Sequence, residues 1–259
     1  MLNLNSIHNL DAITFLEQLY EDYGDESINM FLVDFPYTFK GKNRVTANKW
    51  DLPVDIDRFF ELAMTMLTKD GSIVLTATNP FASYLIMSHL DKFKYEWIWE
   101  KDNGSNFTHV KYQPFKVHEQ VLVFGKSATT YVKSGKNMFY KPQFSEGKPY
   151  KVNRSGMTDN LATGEGYTRT SGEYEGKRYP RSVQKFNLEK GLHPTQKPTK
   201  LFEYLINTYT NESDIVVDCC AGSGTTAVAA KKTNRNYIVN DLEYKYYELM
   251  EERLEKIIT

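Results

Sequence analysis

The sequence predicts an α/β fold, with a doubly wound, mostly parallel sheet of the three-layer, Rossmann-like type and an irregular insertion. Short apolar runs typical of buried strands alternate with segments whose apolar residues recur every three or four positions, as in helices that face a core. Polar and glycine-rich motifs directly follow two of the strand-like runs. This alternation is typical of a parallel sheet that is covered by helices on both faces.

The candidate elements can be assigned in order along the chain. Apolar runs predict strands at 30–34, 72–76, 95–99, 120–124, 215–218 and 237–241. Amphipathic spacing predicts helices at 56–67, 201–209 and 244–258. The tripeptide Lys69-Asp70-Gly71 predicts a turn that ends the first of these helices before the next strand begins.

The periodic pattern fails between residues 126 and 192, where eight of the fifteen glycines fall. This segment has seven more basic than acidic residues, although the whole chain has a net charge of −1. Tyrosines and a phenylalanine are interleaved with the cations, as contacts to phosphates and bases require, whereas the alternative is a solvated surface insertion. We therefore expect a main domain of 1–125 and 193–259 and an insertion of 126–192.

The composition is that of a globular protein. With 259 residues, 41% of them hydrophobic, the chain is long enough to bury a full core. There is no run of about 18 apolar residues and no signal-like start, so we expect a cytoplasmic protein without a membrane span. Cys219 and Cys220 are adjacent, so we expect neither a disulfide framework nor a metal site.

The first motif, Asp34-Phe35-Pro36-Tyr37, follows the strand at 30–34. A carboxylate and a backbone carbonyl can accept the two N–H bonds of an amino group, and an aromatic ring can stack on the ring that carries it. The motif therefore predicts a clamp for an aromatic substrate with an exocyclic amine. Asp34 and the Phe35 carbonyl would be the acceptors, and Tyr37 the stacking ring.

The second motif begins at Asp218 and continues through Gly222 and Gly224 to a helix that opens at Thr225. Glycines allow close approach of a ligand to the backbone, and a helix N-terminus presents unpaired N–H groups. The pattern also fits a dinucleotide site, with Asp241 as the ribose-binding acid, so an NAD enzyme is an alternative. A phosphate loop is excluded because the Gly-Lys-Ser/Thr ending is missing.

The segment His193-Pro-Thr195-Gln-Lys197-Pro198 precedes the second motif and favours one reading of it. In this order, with the clamp motif first, the chain resembles the β-group of S-adenosylmethionine-dependent DNA amino-methyltransferases. The resemblance implies S-adenosylmethionine as cofactor and double-stranded DNA as partner, with 1–125 and 193–259 as the catalytic domain and 126–192 as the target-recognition insertion.

The resemblance also assigns cofactor contacts. It implies that the methionine end is held by Thr195, Lys197, Thr225 and Thr226. The cofactor would be lined by Asp218, Ala221, Gly222 and Gly224. Asp241 would accept the ribose hydroxyls, and Asp11 would bond the adenine amino group, unless Asp11 is simply a helix N-cap.

The resemblance further implies methyl transfer to N6 of adenine in duplex DNA after base flipping. Relatives usually carry Asp-Pro-Pro-Tyr, from which Phe35 departs, and N4-cytosine members of the same motif order more often carry Ser in the first position. Methylation of cytosine N4, of an RNA base or of a protein amide, and a non-catalytic DNA-binding protein, are the alternatives. The resemblance leaves open a homodimer and an association with a restriction nuclease.

Basic residues beside the clamp motif and in the insertion are candidate DNA contacts. Beside the clamp motif these are Lys40, Lys42, Arg44 and Lys49; in the insertion they are Arg154, Arg169, Arg178 and Arg181. His118 has neither a metal partner nor a nucleophile at a useful spacing, so we expect it to be structural.

Overall fold

The computed structural model describes residues 1–38, 53–130, 135–152, 157–159, 166–168, 171–189, 191 and 196–257. The chain forms two compact units, one of Met1–Lys141 with Ser182–Thr259 and one of Pro142–Arg181. The second unit lies inside the expected insertion of 126–192 and is shorter at both ends.

The larger unit contains the helices and the central sheet. The helices are α1 Ala12–Tyr23, α2 Ile56–Met66, α3 Phe81–Ser88, α4 Thr199–Tyr209, α5 Thr225–Lys232 and α6 Tyr244–Glu255. The strands of the chain, in order, are β1 Ser6–His8, β2 Ile28–Val33, β3 Leu67–Ala77, β4 Phe93–Glu100, β5 His118–Phe124, β6 Ser145–Glu146, β7 Tyr150–Val152, β8 Met157–Asp159, β9 Gly166–Thr168, β10 Gly172–Tyr174, β11 Lys177–Arg178, β12 Val183–Lys185, β13 Ile215–Asp218 and β14 Asn236–Asn240.

The central sheet has the order β1-β14-β13-β2-β3-β5-β4-β12. All neighbours pair in parallel except β5, which is antiparallel to both β3 and β4. The predicted α/β class with a mostly parallel sheet is therefore confirmed. The carboxyl ends of β2, β3, β4, β13 and β14 share one edge with the amino end of β5, and we call this edge the site edge.

Helices cover both faces of the sheet. Successive side chains of β2 point to opposite faces and are apolar on both, so each face has to be covered. Phe31 and Val33 join a core with α1, α2 and α3, whereas Met30 and Leu32 join a core with α4, α5 and α6. A strand that is buried on both faces reads as a continuous apolar run, which is why the run at 28–33 gave a strong strand signal.

Several sequence expectations need correction. Lys69-Asp70-Gly71 is not a turn: α2 ends at Met66, β3 begins at Leu67, and the tripeptide lies within that strand. The register with β2 shifts there, between the pairs Ile28–Leu67 and Met30–Ser72. Elements β1, α1 and α3 were not predicted, and most of the predicted ends differ from the observed ones by a few residues.

The smaller unit is a two-stranded antiparallel ribbon built from three short ladders. Strand β6 pairs with β11, β7 with β10 and β8 with β9, so the pairs are nested within one another. Tyr150 and Tyr174 stack across the middle ladder with ring centroids 4.8 Å apart. The sequence analysis found no periodicity here, because strands of two or three residues are too short to show one.

A buried tyrosine couples α4 to the sheet. Tyr209 is 1% exposed, and its hydroxyl accepts a hydrogen bond from Trp97 Nε1 at 2.6 Å and bonds the Tyr95 hydroxyl at 2.9 Å. Removing this hydroxyl leaves a buried indole N–H without its acceptor.

We expect Tyr209→Phe to lower the free energy of unfolding by about 1–3 kcal/mol, because a buried donor is left unsatisfied. Urea titration followed by circular dichroism measures this. Tyr247→Phe is the matched control, since it removes a hydroxyl that contacts Glu251 on the exposed side of α6. Equal losses in the two variants would contradict the assignment.

Candidate active site

The Asp34 carboxylate lies just past the end of β2 and is held by donors from three parts of the chain. Oδ1 accepts hydrogen bonds from the Thr76 hydroxyl of β3 and from the Tyr37 hydroxyl at 3.1 Å. Oδ2 accepts from Lys197 Nζ at 2.6 Å. These hydrogen bonds fix the side chain in position. It is still 24% exposed, so a substrate can reach it.

Glu119 completes a buried charge network around Asp34. Its carboxylate pairs with Lys101, lies 3.5 Å from Lys197 Nζ and receives the Tyr37 hydroxyl at 3.2 Å. Burial would raise the pKa of Glu119, but the ammonium groups of Lys197 and Lys101 lower it. Burial likewise opposes the charge on Lys197, yet Asp34 and Glu119 raise its pKa. The lowered pKa of Glu119 and the raised pKa of Lys197 thus both favour the charged forms of this pair.

The remaining motif residues are set by packing. The Tyr37 ring stacks on Phe81 with centroids 5.6 Å apart, and burial together with the Asp34 and Glu119 charges raises the pKa of Tyr37 well above its ordinary value. Tyr37 is therefore a neutral hydrogen-bond donor. Phe35 is 2% exposed and its ring meets the Phe59 ring edge-on with centroids 4.8 Å apart, so packing in the core holds this position of the turn.

The glycine motif folds as a tight turn between β13 and α5. Asp218 is 2% exposed; its Oδ1 accepts from the Cys220 N–H at 3.0 Å and its Oδ2 from the Thr226 hydroxyl. Gly222 and Gly224 have φ of 53° and 77°, which favours glycine at both positions. A Cβ on Gly222 would enter open space, whereas one on Gly224 would come within 2.6 Å of Met250.

These contacts separate the two glycines and the two threonines by role. Gly222 faces the open side of the turn, while Gly224 is required for packing against α6. Thr226 is fully buried and orients Asp218, and the Thr225 hydroxyl donates to the Lys197 carbonyl at 3.4 Å. A contact of either threonine with the methionine end of a cofactor stays a prediction.

Asp241 follows β14 and reinforces the same turn. Its Oδ2 accepts the Gly222 N–H at 2.7 Å and its Oδ1 the Glu243 N–H at 2.9 Å, and burial raises its pKa. Asp11 caps α1 by accepting the N–H groups of Ile13 and Thr14. The N-cap alternative for Asp11 is thus observed, and this leaves its second carboxylate oxygen for other contacts.

Asn240 holds the segment before Asp11 against the glycine motif. Its side chain is fully buried, donates to the carbonyls of Leu10 and Cys219, and accepts the Leu10 N–H at 2.9 Å. The sequence analysis missed Asn240. It stands next to Asp241 at a strand end, and an amide that can both donate and accept was the available signal.

Both motifs line one cavity of about 550 Å³, a size typical of small-molecule sites. Asp34, Phe35 and Pro36 line it, and so does Lys197, which bonds Asp34 through its side chain and Thr225 through its carbonyl. The lining also includes Asp11, Asp218, Ala221, Gly222, Thr225 and Asp241. The two motifs, far apart in sequence, therefore meet at the site edge.

Several candidate residues lie outside the part of the chain that the structure describes: Lys40, Lys42, Arg44, Lys49, Arg154, Arg169, His193 and Thr195. In the ribbon, an Arg178 guanidinium nitrogen donates to the Lys148 carbonyl at 2.6 Å, and the guanidinium lies 4.3 Å from the Tyr150 ring centroid. A DNA contact by Arg178 or Arg181 stays a prediction.

Two negative findings hold for the described ranges. Their His, Cys, Asp and Glu side chains form no group that could hold a metal ion. None of the helices found there is long and apolar enough to cross a lipid bilayer. His118 is exposed at the start of β5, and its neighbour Glu119 is the residue that reaches the site.

The chain is similar in sequence to known DNA methyltransferases. Residues 28–252 match the family model for N6/N4 methyltransferases, described as DNA methylase. The chain is 28% identical to the type II methyltransferase M1.MboII of Moraxella bovis, over 95% of each chain. It is 31% identical to the type II methyltransferase M.HpaI of Haemophilus parainfluenzae, over 95% of this chain and 72% of the relative.

Two solved structures show the same fold. The M1.HpyAVI–SAM complex superposes with a TM-score of 0.61 at 21% identity, over 96% of this chain and 98% of the other. The PvuII DNA methyltransferase, named as cytosine-N4-specific, gives 0.67 at 16% identity, over 100% and 89%. These likenesses confirm the predicted Rossmann-like methyltransferase architecture.

The buried Asp218 predicts a pH-dependent stability. Burial raises the pKa of Asp218 to about 7, against the hydrogen bonds from Thr226 and Cys220. The folded protein therefore binds this proton more tightly than the unfolded chain, whose Asp pKa is near 3.8. The stability that the bound proton supplies is lost as pH rises from about 4 through 7.

We expect Asp218→Asn, which is neutral throughout, to gain melting temperature relative to the parent protein between pH 5 and pH 8. Thermal unfolding of both proteins across this range gives the difference. Glu252→Gln, which removes an exposed carboxylate, serves as control. A difference between Asp218→Asn and parent that does not change with pH would contradict the raised pKa.

Proposed function

This chain belongs to the N6/N4 DNA methylase family, and from this premise we propose that it transfers a methyl group to N6 of adenine in duplex DNA. The family uses S-adenosylmethionine as the methyl donor. The observation that carries the proposal is the shared cavity, where Asp34 faces the glycine turn expected to hold that donor. An acceptor for the amine and a seat for the methyl donor thus lie within one site.

The chemistry requires an acceptor such as Asp34. The lone pair of an exocyclic amine is delocalised into its ring, so the nitrogen is a poor nucleophile until its N–H groups are bonded to well-placed acceptors. A carboxylate has about four lone-pair positions, and Thr76, Tyr37 and Lys197 occupy three on Asp34. One position is left for an amine N–H, and the Phe35 carbonyl supplies the second acceptor.

Methyl transfer places positive charge on the attacking nitrogen. The Asp34 carboxylate is fixed before the substrate arrives, so it stabilises that charge without reorganising. When bound, the donor would supply an electrophilic methyl group, and its bond from sulfur to the methyl carbon would be exchanged for the new N–C bond. The surplus proton of the amine leaves to Asp34 or to water.

The choice of adenine rests on the first residue of the clamp motif. By resemblance, Asp in this position favours N6-adenine, and N4-cytosine enzymes of this motif order more often carry Ser. The fold does not discriminate, because the PvuII enzyme, named as N4-specific, shares it. Cytosine N4 is therefore the alternative substrate.

For the cofactor, we propose that Asp241 bonds the ribose hydroxyls and Asp11 the adenine amino group, with Asp218, Ala221, Gly222 and Gly224 shaping the wall. Asp241 and Asp11 both line the cavity. Asp241 accepts the Gly222 N–H of the glycine turn, and Asp11 accepts the Ile13 N–H at the start of α1. Contacts of Thr195, Lys197 and Thr225 with the methionine end belong to the same proposal, whereas Thr226 would support that end indirectly, because its buried hydroxyl donates to Asp218.

For the DNA, the target amine lies inside the duplex, so the base must be extruded at a cost of a few kcal/mol. We propose that the 126–192 insertion makes the compensating contacts. The described strands of its 142–181 unit form antiparallel pairs, and a two-stranded antiparallel ribbon fits the major groove. Arg154, Arg169, Arg178 and Arg181 would act there, and Lys40, Lys42, Arg44 and Lys49 near the extruded base.

The proposal is tested by incubating the protein with unmethylated mixed-sequence duplex and methyl-labelled S-adenosylmethionine, then digesting the DNA to nucleosides. Label in N6-methyldeoxyadenosine supports it. Label in N4-methyldeoxycytidine transfers the same mechanism to the alternative base. Cofactor binding without label in either nucleoside, on a mixture that contains all short sequences, contradicts it.

Asp34→Asn should lower the methyl-transfer rate by roughly 100- to 1000-fold, as loss of one preorganised transition-state contact does. S-adenosylmethionine binding should be retained, because Glu119 remains a charged partner of Lys197 at 3.5 Å and asparagine keeps the size of the side chain. Single-turnover kinetics and calorimetry measure the two quantities. Asp25→Asn, which alters an exposed contact with Tyr20, is the control, and an active Asp34→Asn protein would refute the role of Asp34.

Asp241→Asn should weaken S-adenosylmethionine binding by roughly tenfold or more, since hydrogen bonds to a charged acceptor contribute about 1.5–3 kcal/mol. The turn should persist, because an amide oxygen can still accept the Gly222 N–H. Calorimetric titration gives the Kd, with Asp214→Asn at the amino end of β13 as control. Unchanged affinity would exclude Asp241 as a cofactor contact.

A further inference from the structure

The loop that joins β4 to β5 presents aromatic side chains to solvent. Every residue from 107 to 115 is exposed, with Phe107 77% and Tyr112 87% accessible. Large aromatic rings normally bury most of their surface, and contiguous exposed apolar groups mark interaction sites. We call residues 103–117 the β4–β5 loop.

The β4–β5 loop is held in a defined shape. The Lys101 N–H donates to the Val117 carbonyl at 2.7 Å, and Asn106 bridges the loop by accepting the Lys116 N–H at 2.8 Å and donating to the Pro114 carbonyl at 3.0 Å. The Phe115 ring packs against Gly104, where a Cβ would come within 2.6 Å. Phe107 and Tyr112 are therefore presented by an ordered framework.

The base of this loop is anchored in the active site. Lys101, at its start, pairs with Glu119, which receives the Tyr37 hydroxyl. Lys116, at its end, donates to the Thr78 hydroxyl just after β3. The loop leaves the carboxyl end of β4 and returns at the amino end of β5, so it rises from the site edge beside Asp34.

The chemistry of the loop fits DNA. Residues 103–117 include Lys111 and Lys116 and no acidic residue, in a chain whose net charge is −1. Cations match phosphates, and aromatic rings stack on bases of any sequence. Phe107, Tyr112 and Lys111 are thus exposed groups of the kinds that contact bases and phosphates.

We propose that the β4–β5 loop is a second DNA-contact surface, in which Phe107 and Tyr112 pack on bases next to the extruded one and Lys111 contacts a phosphate. It acts separately from the 126–192 insertion. The inference rests on the proposed function, because it requires duplex DNA at the site edge. It adds a base-stacking platform that is coupled to the clamp through Lys101 and Glu119.

The test compares Phe107→Ala/Tyr112→Ala, Lys111→Ala and the matched control Met87→Ala/Leu90→Ala. The control removes exposed side chains, 70% and 58% accessible, near the opposite edge of the sheet, just before β4. Methyl transfer to unmethylated mixed-sequence plasmid DNA gives kcat and KM for DNA. Calorimetry gives the Kd of S-adenosylmethionine, and DNA binding is repeated over a range of salt concentrations.

The aromatic double variant should raise KM for DNA roughly tenfold or more, as loss of base stacking does. Its Kd for S-adenosylmethionine should equal that of the parent protein. The salt slope, which is the slope of the logarithm of the DNA-binding constant against the logarithm of the salt concentration, should also be unchanged. Lys111→Ala should reduce the salt slope by about one. The control should match the parent protein.

If the double variant has the same kcat and the same KM for DNA as the parent protein, this inference is overturned and the proposed function still stands. If the parent protein transfers no methyl group to DNA, both the inference and the proposed function are contradicted. If sedimentation shows that the double variant dissociates a parent dimer while its KM for DNA is unchanged, the β4–β5 loop is an interface between copies, and the inference is overturned.

Discussion

The contact between Lys197 and Asp34 is the constraint on which the arrangement of the site depends. A carboxylate that must accept an amine has to be mostly removed from water and yet stay ionised, which is costly without partners. The partners here are Lys197, which pairs with Asp34, and Lys101, which pairs with Glu119. Lys197 also lies 3.5 Å from Glu119, so the two ammonium groups balance the two carboxylates. The Tyr37 and Thr76 hydroxyls then fix the carboxylate in one orientation.

This constraint explains why the two distant motifs are close in space. Lys197 lies just before α4, the helix that leads into the glycine strand, and its carbonyl receives the Thr225 hydroxyl at the start of α5. One residue therefore contacts the clamp through its side chain and the glycine turn through its backbone. A displacement of either motif would separate Lys197 from one partner, so the clamp and the cofactor wall are fixed relative to each other within the larger unit.

The sequence allowed the α/β class, the long buried strands and both motifs to be identified, since each depends on local composition. The buried network was not foreseen. His118 was considered as a titratable residue, whereas Glu119 matters because the register of β5 against β4 pairs it with Trp99, two residues before Lys101, and its carboxylate contacts the Lys101 ammonium. Such cross-strand contacts depend on pairing partners that periodicity does not specify. The ribbon was also missed, because its ladders contain only two or three residue pairs each.

Phe35 illustrates how the structure changes the meaning of a sequence departure. In the sequence it stands as a departure from the Asp-Pro-Pro-Tyr motif of the family that the chain resembles. In the fold, its ring packs against Phe59 and anchors the turn from the core side. The carbonyl needed as second acceptor is thus held by side-chain packing instead of by ring stiffness, and Phe35 is compatible with a working site.

The most direct test of this account is a crystal structure of the protein with duplex DNA and a non-reactive analogue of S-adenosylmethionine. The account predicts an extruded adenine whose N6 donates to Asp34 and to the Phe35 carbonyl, with the donor's sulfonium position facing that nitrogen. A target base that remains stacked in the duplex, or an amine bound away from Asp34, would contradict it.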